Sequence, residues 1–320
     1  MIASRAGSGW LAGLLAIVLI FCGGGATSLF AQEAVPTPTP IPVVEQGTPH
    51  AEEEHGLTQH APVIYDGKYF KINNSMIASW VVAALLILGA RLATRNIKEV
   101  PEGAQNFWEW MVESLYNFLE GLVGSELVKK TFWFFATIFI FILFTNWAGL
   151  IPGVGTLGFG TTDAEGHFHL TRPFLRGANA DMNMTMAMAM LFFLFWTIWA
   201  LQANGIQGFI LHLFGPKGDT TGLLKVLMVV VFIGVGFLEV VTIAFRPITL
   251  SFRLFGNVFA GENMLETMAH MGGTWFGWLL PIPFYFLELL VGLVQALVFM
   301  LLTAVFTLLI CEHDEEHASH

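Results

Sequence analysis

The chain has 320 residues, of which 55% are hydrophobic and 12% charged, and its net charge is −10. Soluble domains carry about 25% charged residues, so this composition excludes an ordinary soluble domain and points to the membrane class. The lack of a basic patch excludes nucleic acid as a partner, and the two cysteines, Cys22 and Cys311, cannot build a disulfide framework or a thiolate metal site.

Residues 1–31 read as a secretory leader. Arg5 supplies the positive start, residues 10–21 an apolar core, and the small residues around Ser28 and Ala31 a place to cut. An uncleaved anchor helix is the alternative. Residues 32–74 form an external tail rich in Pro, His and Glu, and Pro36 to Pro40 in the pattern Pro-Thr-Pro-Thr-Pro favours an extended linker. His50, His55 and His60 lie in that tail with Glu52, Glu53 and Glu54, but nothing there enforces a ligand geometry, so a solvated tail is expected and no metal.

A helix crosses hydrocarbon with about 20 apolar residues. Spans are expected at residues 76–90, 132–151 and 182–201, and two longer apolar stretches follow at 223–271 and 275–310. Those last two are too long for upright crossings and must tilt, kink or curve. Between the first two spans Phe107, Trp108, Met111, Leu115, Phe118, Leu119 and Leu122 recur at helical spacing, with Glu102, Glu109, Glu113 and Glu120 among them. That pattern predicts an amphipathic helix lying on the membrane face. Arg91, Arg95, Lys98, Lys129 and Lys130 all fall in the same connection, which the positive-inside rule makes cytoplasmic. The N-terminal tail is then outside. Lys217 and Lys225 fall inside, and Arg172 and Arg176 outside. The expected fold is an all-α polytopic membrane protein, with about five transmembrane helices, an amphipathic helix on the cytoplasmic face, and the last two helices long and strongly tilted. Residues 75–310 make up its membrane domain and 311–320 a polar, cytoplasmic C-terminal tail.

The candidate functional residues are the polar groups inside the apolar stretches, because a charge at mid-span costs about 2.5 to 3.5 kcal/mol on insertion scales. They are Glu239, Arg246, Arg253, Asn257, Glu262, Asn263 and Glu266 in the fourth stretch and Glu288 and Gln295 in the fifth. Asp181, Asn183 and Thr185 open the third. At about 100° per residue, Arg246, Arg253 and Asn257 share one face, whereas Glu262 points the opposite way, about 13 Å further along. Glu288 and Gln295 share a face of the last helix. Two carboxylates on two helices, with an arginine pointing elsewhere, suggest a wet path on one side and a sliding surface on the other. A buried network that only fixes packing is the competing structural reading.

Several motifs fail on context. Gly153, Gly155 and Gly158 match a dinucleotide fingerprint but follow a membrane span and Pro152. His313 and His317 lack a glutamate at the position a metalloprotease needs. There is no Walker P-loop and no Gly-x-Ser-x-Gly elbow. No cofactor is expected, and the chain is expected to carry no catalytic site of its own. A secondary transporter built on inverted repeats, a non-transporting scaffold and an intramembrane enzyme are the rival classes; no repeat is visible between the halves.

The run Arg246-Pro-Ile-Thr-Leu-Ser-Phe-Arg-Leu-Phe-Gly-Asn-Val-Phe-Ala-Gly-Glu262 closely resembles the signature of the F-type ATP synthase subunit a family. So do Asn146-Trp-Ala-Gly-Leu-Ile-Pro152, Asp181-Met-Asn-Met-Thr185 and Gln295-Ala-Leu-Val-Phe-Met-Leu-Leu-Thr303, in that order along residues 75–310. The resemblance implies a proton-translocating subunit in the cell (inner) membrane. Its implied partners are the lipid bilayer, the ring of c subunits, the peripheral stalk b subunits and, indirectly, the catalytic head. Arg253 matches the arginine that faces the ring carboxylate, and Gln295 its neighbour on the last helix. Asn257, Glu262 and Glu288 match positions lining the half-channels, and Glu239 a polar site near the cytoplasmic mouth. The position of Glu288 is a histidine in some members, and the long front end departs from the short N-terminus of many.

Overall fold

A computed structural model describes residues 61–66, 71–151, 153–154, 158–162, 168–214 and 223–311. The leader, most of the external tail and the C-terminal tail lie outside the described residues, as do Lys217, His313 and His317. A short antiparallel hairpin, β1 (Val63–Asp66) with β2 (Lys71–Asn73), leads into helix α1 (Asn74–Ala93). The helices α2 (Ala104–Val123) and α3 (Ser125–Gly149) follow. A second antiparallel hairpin, β3 (Gly158–Thr162) with β4 (Phe168–Pro173), and a 3-10 turn (Ala178–Ala180) precede α4 (Met182–Phe214). The chain then forms α5 (Leu223–Met271), the single turn α6 (Gly273–Phe276) and α7 (Ile282–Cys311).

Five of these helices, α1, α3, α4, α5 and α7, are long and apolar enough to cross a membrane. The protein is an all-α, multi-pass membrane protein. At about 1.5 Å per residue α5 is roughly 70 Å long and α7 roughly 45 Å, against about 30 Å of hydrocarbon, so both exceed what one upright crossing needs. Fully apolar side chains such as Leu85, Leu88, Phe237, Leu238, Phe286 and Leu290 are exposed, as expected where lipid or another subunit replaces water.

Helix α3 is the centre. Its Phe135 and Ile142 are fully buried, and it packs most extensively on α7 and also against α2, α1 and the 3-10 turn. Trp133, Phe134 and Phe135 meet Phe195 and Trp199 of α4 in edge-on and tilted contacts. Helix α2 buries Met111, Leu115, Leu119 and Val123, spaced one turn apart, against the bundle. Phe107, Trp110 and Phe118 remain exposed on it, so its apolar side is broader than the bundle covers. Gly124, with φ 81 and ψ 161, is the one residue between α2 and α3; that backbone region is open essentially to glycine alone.

The helix bounds differ from the sequence expectation in α4. The apolar run weakens at Gln202, Asn204 and Gln207, yet the helix continues to Phe214, broken at Gly205 (φ 66, ψ 170). Asn204 Nδ2 donates to Ile310 O of α7 at 2.8 Å, which ties the break to the end of the last helix. The expected stretch at 275–310 divides into α6 and α7, with a turn at residues 277–281.

Candidate functional site

The sequence pattern puts carboxylates on two helices, and the fold brings them together. Glu262 of α5 reaches into a cleft whose walls are glycine. A Cβ on Gly149, the last residue of α3, would lie 3.1 Å from Glu262 Oε1 and 3.1 Å from the Gly177 Cα. A Cβ on Gly177, in the loop after β4, would fall on the carboxylate itself. Glu262 Oε1 is buried and has no hydrogen-bond partner among the described residues. Glu288 of α7 is 8% exposed, and its carboxylate lies across Gly261, where a methyl group would displace it. Consecutive residues of α5 thus meet Glu288 and carry Glu262, so the two acids share one site where α3, α5, α7 and the 3-10 turn converge.

A polar girdle holds this convergence. Asn146 Nδ2 donates to Gly292 O at 3.0 Å, and Trp147 Nε1 donates to Leu289 O at 3.1 Å, fastening the end of α3 to α7 beside Glu288. Asn179 Nδ2 donates to Asn146 Oδ1 at 2.6 Å and to Thr145 Oγ1 at 2.8 Å. Asp181 accepts from Asn183 N at 3.0 Å, closing the start of α4, and from the Ser75 hydroxyl of α1. Thr185 and Ser251 pair at 3.0 Å between α4 and α5.

Arg176 belongs to the same region. It is 5% exposed, and its guanidinium lies 5.9 Å from the ring centre of Phe259, three residues before Glu262. Burial pushes the guanidinium below its ordinary range, opposed by the charges of Glu262, Asp181 and Glu266. An arginine stays charged regardless.

Arg253 and Asn257 stand on the other side of α5, both exposed. Nine residues separate Arg253 from Glu262, which puts them about 180° apart. Arg253 has no hydrogen bond or salt bridge among the described residues. Gln295, two turns after Glu288 on α7, is half-buried. Asn263 Nδ2 donates to its own helix at Phe259 O, 2.7 Å away.

A second polar group sits toward the start of α5. The Arg246 guanidinium lies 4.5 Å from the Phe306 ring centre and 5.5 Å from that of Trp196, and the Trp196 indole donates to Phe306 O at 2.9 Å. Glu239, half-buried, lies two turns earlier on the same helix and acts electrostatically on Arg246. Glu239 and Glu262 are separated by 23 residues, roughly 35 Å along the helix, about the thickness of the hydrocarbon core. Among the described residues no group of His, Cys, Asp and Glu is arranged to hold a metal ion.

Sequence reasoning missed Arg176, Gly149, Gly177 and Gly261. Arg176 carried meaning only as a topology marker in a loop. Gly149 and Gly261 lie inside the runs that carry the family resemblance, but nothing local in the sequence tied any of the three glycines to an acid, because the carboxylate each one meets sits on another element.

The sequence profile described as ATP synthase A chain matches residues 76–307. Residues of this chain are 31% identical over 232 positions to ATP synthase subunit a of Moorella thermoacetica, covering 72% of this chain and 88% of that one. Similarity to ATP synthase subunit a of Gloeobacter violaceus is 30% over 246 residues, covering 77% and 85%. For ATP synthase subunit a 3 of Pelobacter propionicus it is 34% over 228 residues, covering 71% and 83%.

Proposed function

The chain belongs to the ATP synthase A chain family, and from that premise we propose that it conducts protons through two separate aqueous half-channels and couples their flow to rotation of a ring of c subunits. The observation that carries this reading is the division of α5: an exposed arginine without a partner among the described residues on one side, and on the other the half-buried Glu262 beside the buried Glu288. A charged group in a membrane span needs a partner, and Arg253 gains one when a ring carboxylate slides past it.

The steps follow from charge. A proton from outside reaches the site of Glu262 and Glu288 and passes to a ring carboxylate beside Asn257. The neutralised ring site can enter lipid, where an ionised one cannot. After nearly a full turn it meets the second half-channel, near Glu239, and releases its proton to the cytoplasm. Arg253 favours the ionised ring carboxylate, since a nearby cation stabilises the charged form, and its fixed charge stops protons from passing directly between the half-channels. Gln295 flanks that contact from α7. The b subunits hold the chain against rotation, and the catalytic head, reached only through them, does the ATP chemistry. Residues 1–31 serve as the leader, 32–74 and the N-terminus lie outside the inner membrane, 75–310 conduct, and 311–320 lie in the cytoplasm.

The test is Arg253→Ala in the assembled complex. ATP-driven acidification of inverted vesicles is expected to vanish while the ring and head still co-purify with the chain. Normal pumping by that variant overturns the assignment.

A further inference from the structure

A buried arginine in a loop needs a physical reason. Arg176 lies between β4 and the 3-10 turn, a connection where arginine ordinarily keeps its charge in water, yet it is buried. Its surroundings point to one. The next residue, Gly177, abuts the Glu262 carboxylate so closely that a side chain in its place would have to displace it. The guanidinium faces the Phe259 ring, nearly one turn before Glu262 on α5. Glu262 is the foremost of the charges acting on it, followed by Asp181 and Glu266. Taking a guanidinium out of water costs several kcal/mol unless opposite charge and good geometry offset it, so packing alone favours an apolar residue at this position.

We propose that Arg176 is a positioning residue for proton transfer at the Glu262–Glu288 site: it seats the Glu262 carboxylate between Gly149 and Gly177 and sets the pH range over which that site takes up protons from outside. The proposal rests on the reading of this site as a proton path. The charged groups acting on Glu262 are Arg176 from the loop, Glu288 from α7 and Glu266 one turn further on α5; Asp181, ahead of α4, acts on Arg176. Helix α3 contributes Gly149 and the polar Asn146. Arg176 is the cation among four acids, and removing it leaves them facing one another.

The experiment uses the whole complex, purified and reconstituted in proteoliposomes, with ATP synthesis measured as the pH on the proton-loading side is varied. In Arg176→Gln the midpoint of that profile is expected to move up by about one pH unit, since a lost cation disfavours ionised neighbours. Arg176→Lys, which keeps the charge, is expected to recover most of the shift. An unmoved midpoint in an assembled Arg176→Gln complex, or an equal shift in the lysine variant, overturns the proposal. Should Arg176→Gln fail to assemble, Phe259→Leu decides, because it unseats the guanidinium without removing it. A smaller upward shift is expected there, and no shift overturns the proposal. Glu262→Gln separates the two levels: normal synthesis by that variant sinks the proton-path reading itself, whereas impaired synthesis beside an unmoved Arg176→Gln profile sinks only the role of Arg176.

Discussion

Glycine gives the carboxylate site its shape. Gly149, Gly177 and Gly261 each occupy a position where a methyl group would press on or displace an acid. Gly177→Ala is therefore expected to push Glu262 out of its cleft. Misplacing a reacting group by about 1 Å costs on the order of a hundredfold in rate, so proton-driven ATP synthesis should fall by about that factor in reconstituted complex. Gly121→Ala serves as the comparison, since a Cβ there meets nothing within 4 Å; it should leave the rate unchanged. A Gly177→Ala complex that synthesises ATP normally would show that the cleft tolerates a displaced acid. At this scale the sequence revealed the ionisable groups and their opposed faces, because helical geometry fixes angles within one helix. It placed Arg246 on the face of Arg253, and there the surroundings differ: Arg246 is half-buried against Trp196 and Phe306, while Arg253 is exposed. What covers a helix changes within two turns, and no spacing rule records it. Nor could spacing bring residue 177 to residue 262, since that contact depends on how α3, α5 and the loop meet.

The spans were legible because apolar length is a strong signal in a membrane chain, and the long α5 matched its expected limits of 223 and 271. The two hairpins were not. Their strands are three to six residues long, with little alternation to mark them. Helix α4 exceeded its expected end because tertiary contact, Asn204 to the Ile310 carbonyl near the end of α7, supports a polar segment that hydropathy would end. Gly205 then lets the chain turn within that segment. Its backbone (φ 66, ψ 170) is costly for any residue with a side chain, by about 1–3 kcal/mol. Gly205→Ala is expected to lower the melting temperature of the purified complex by a few degrees and to loosen the Asn204 contact, read as faster proteolysis after residue 205. An unchanged melting curve would mean that the break carries no strain.

The two polar groups lie at opposite ends of the bundle. The start of α1, the end of α3, the start of α4, Glu262 and the start of α7 gather at one end, tied by Ser75 to Asp181 and by Asn146 and Trp147 to α7. The end of α1, helix α2, the start of α3, Glu239 and the end of α7 gather at the other. With five spans the chain enters and leaves on opposite sides, and the cluster of Arg91, Arg95, Lys98, Lys129 and Lys130 lies at the α2 end. The positive-inside rule predicts that this end is cytoplasmic, and on that prediction Glu262 and Glu288 open outward and Glu239 inward. Single cysteines test this, in a chain whose Cys22 and Cys311 have been replaced. Tyr65 is 62% exposed on β1, and the Lys98 side chain is 63% exposed in the connection after α1, so each substitution to cysteine offers a reachable thiol. A membrane-impermeant maleimide is expected to label Tyr65→Cys only in intact cells and Lys98→Cys only in inverted vesicles. The reverse pattern would exchange the two half-channels, making Glu262 and Glu288 the release side and moving the pH response of Arg176 with them. Labelling of both from one side would mean that α1 does not cross, leaving four spans that begin and end on the same side.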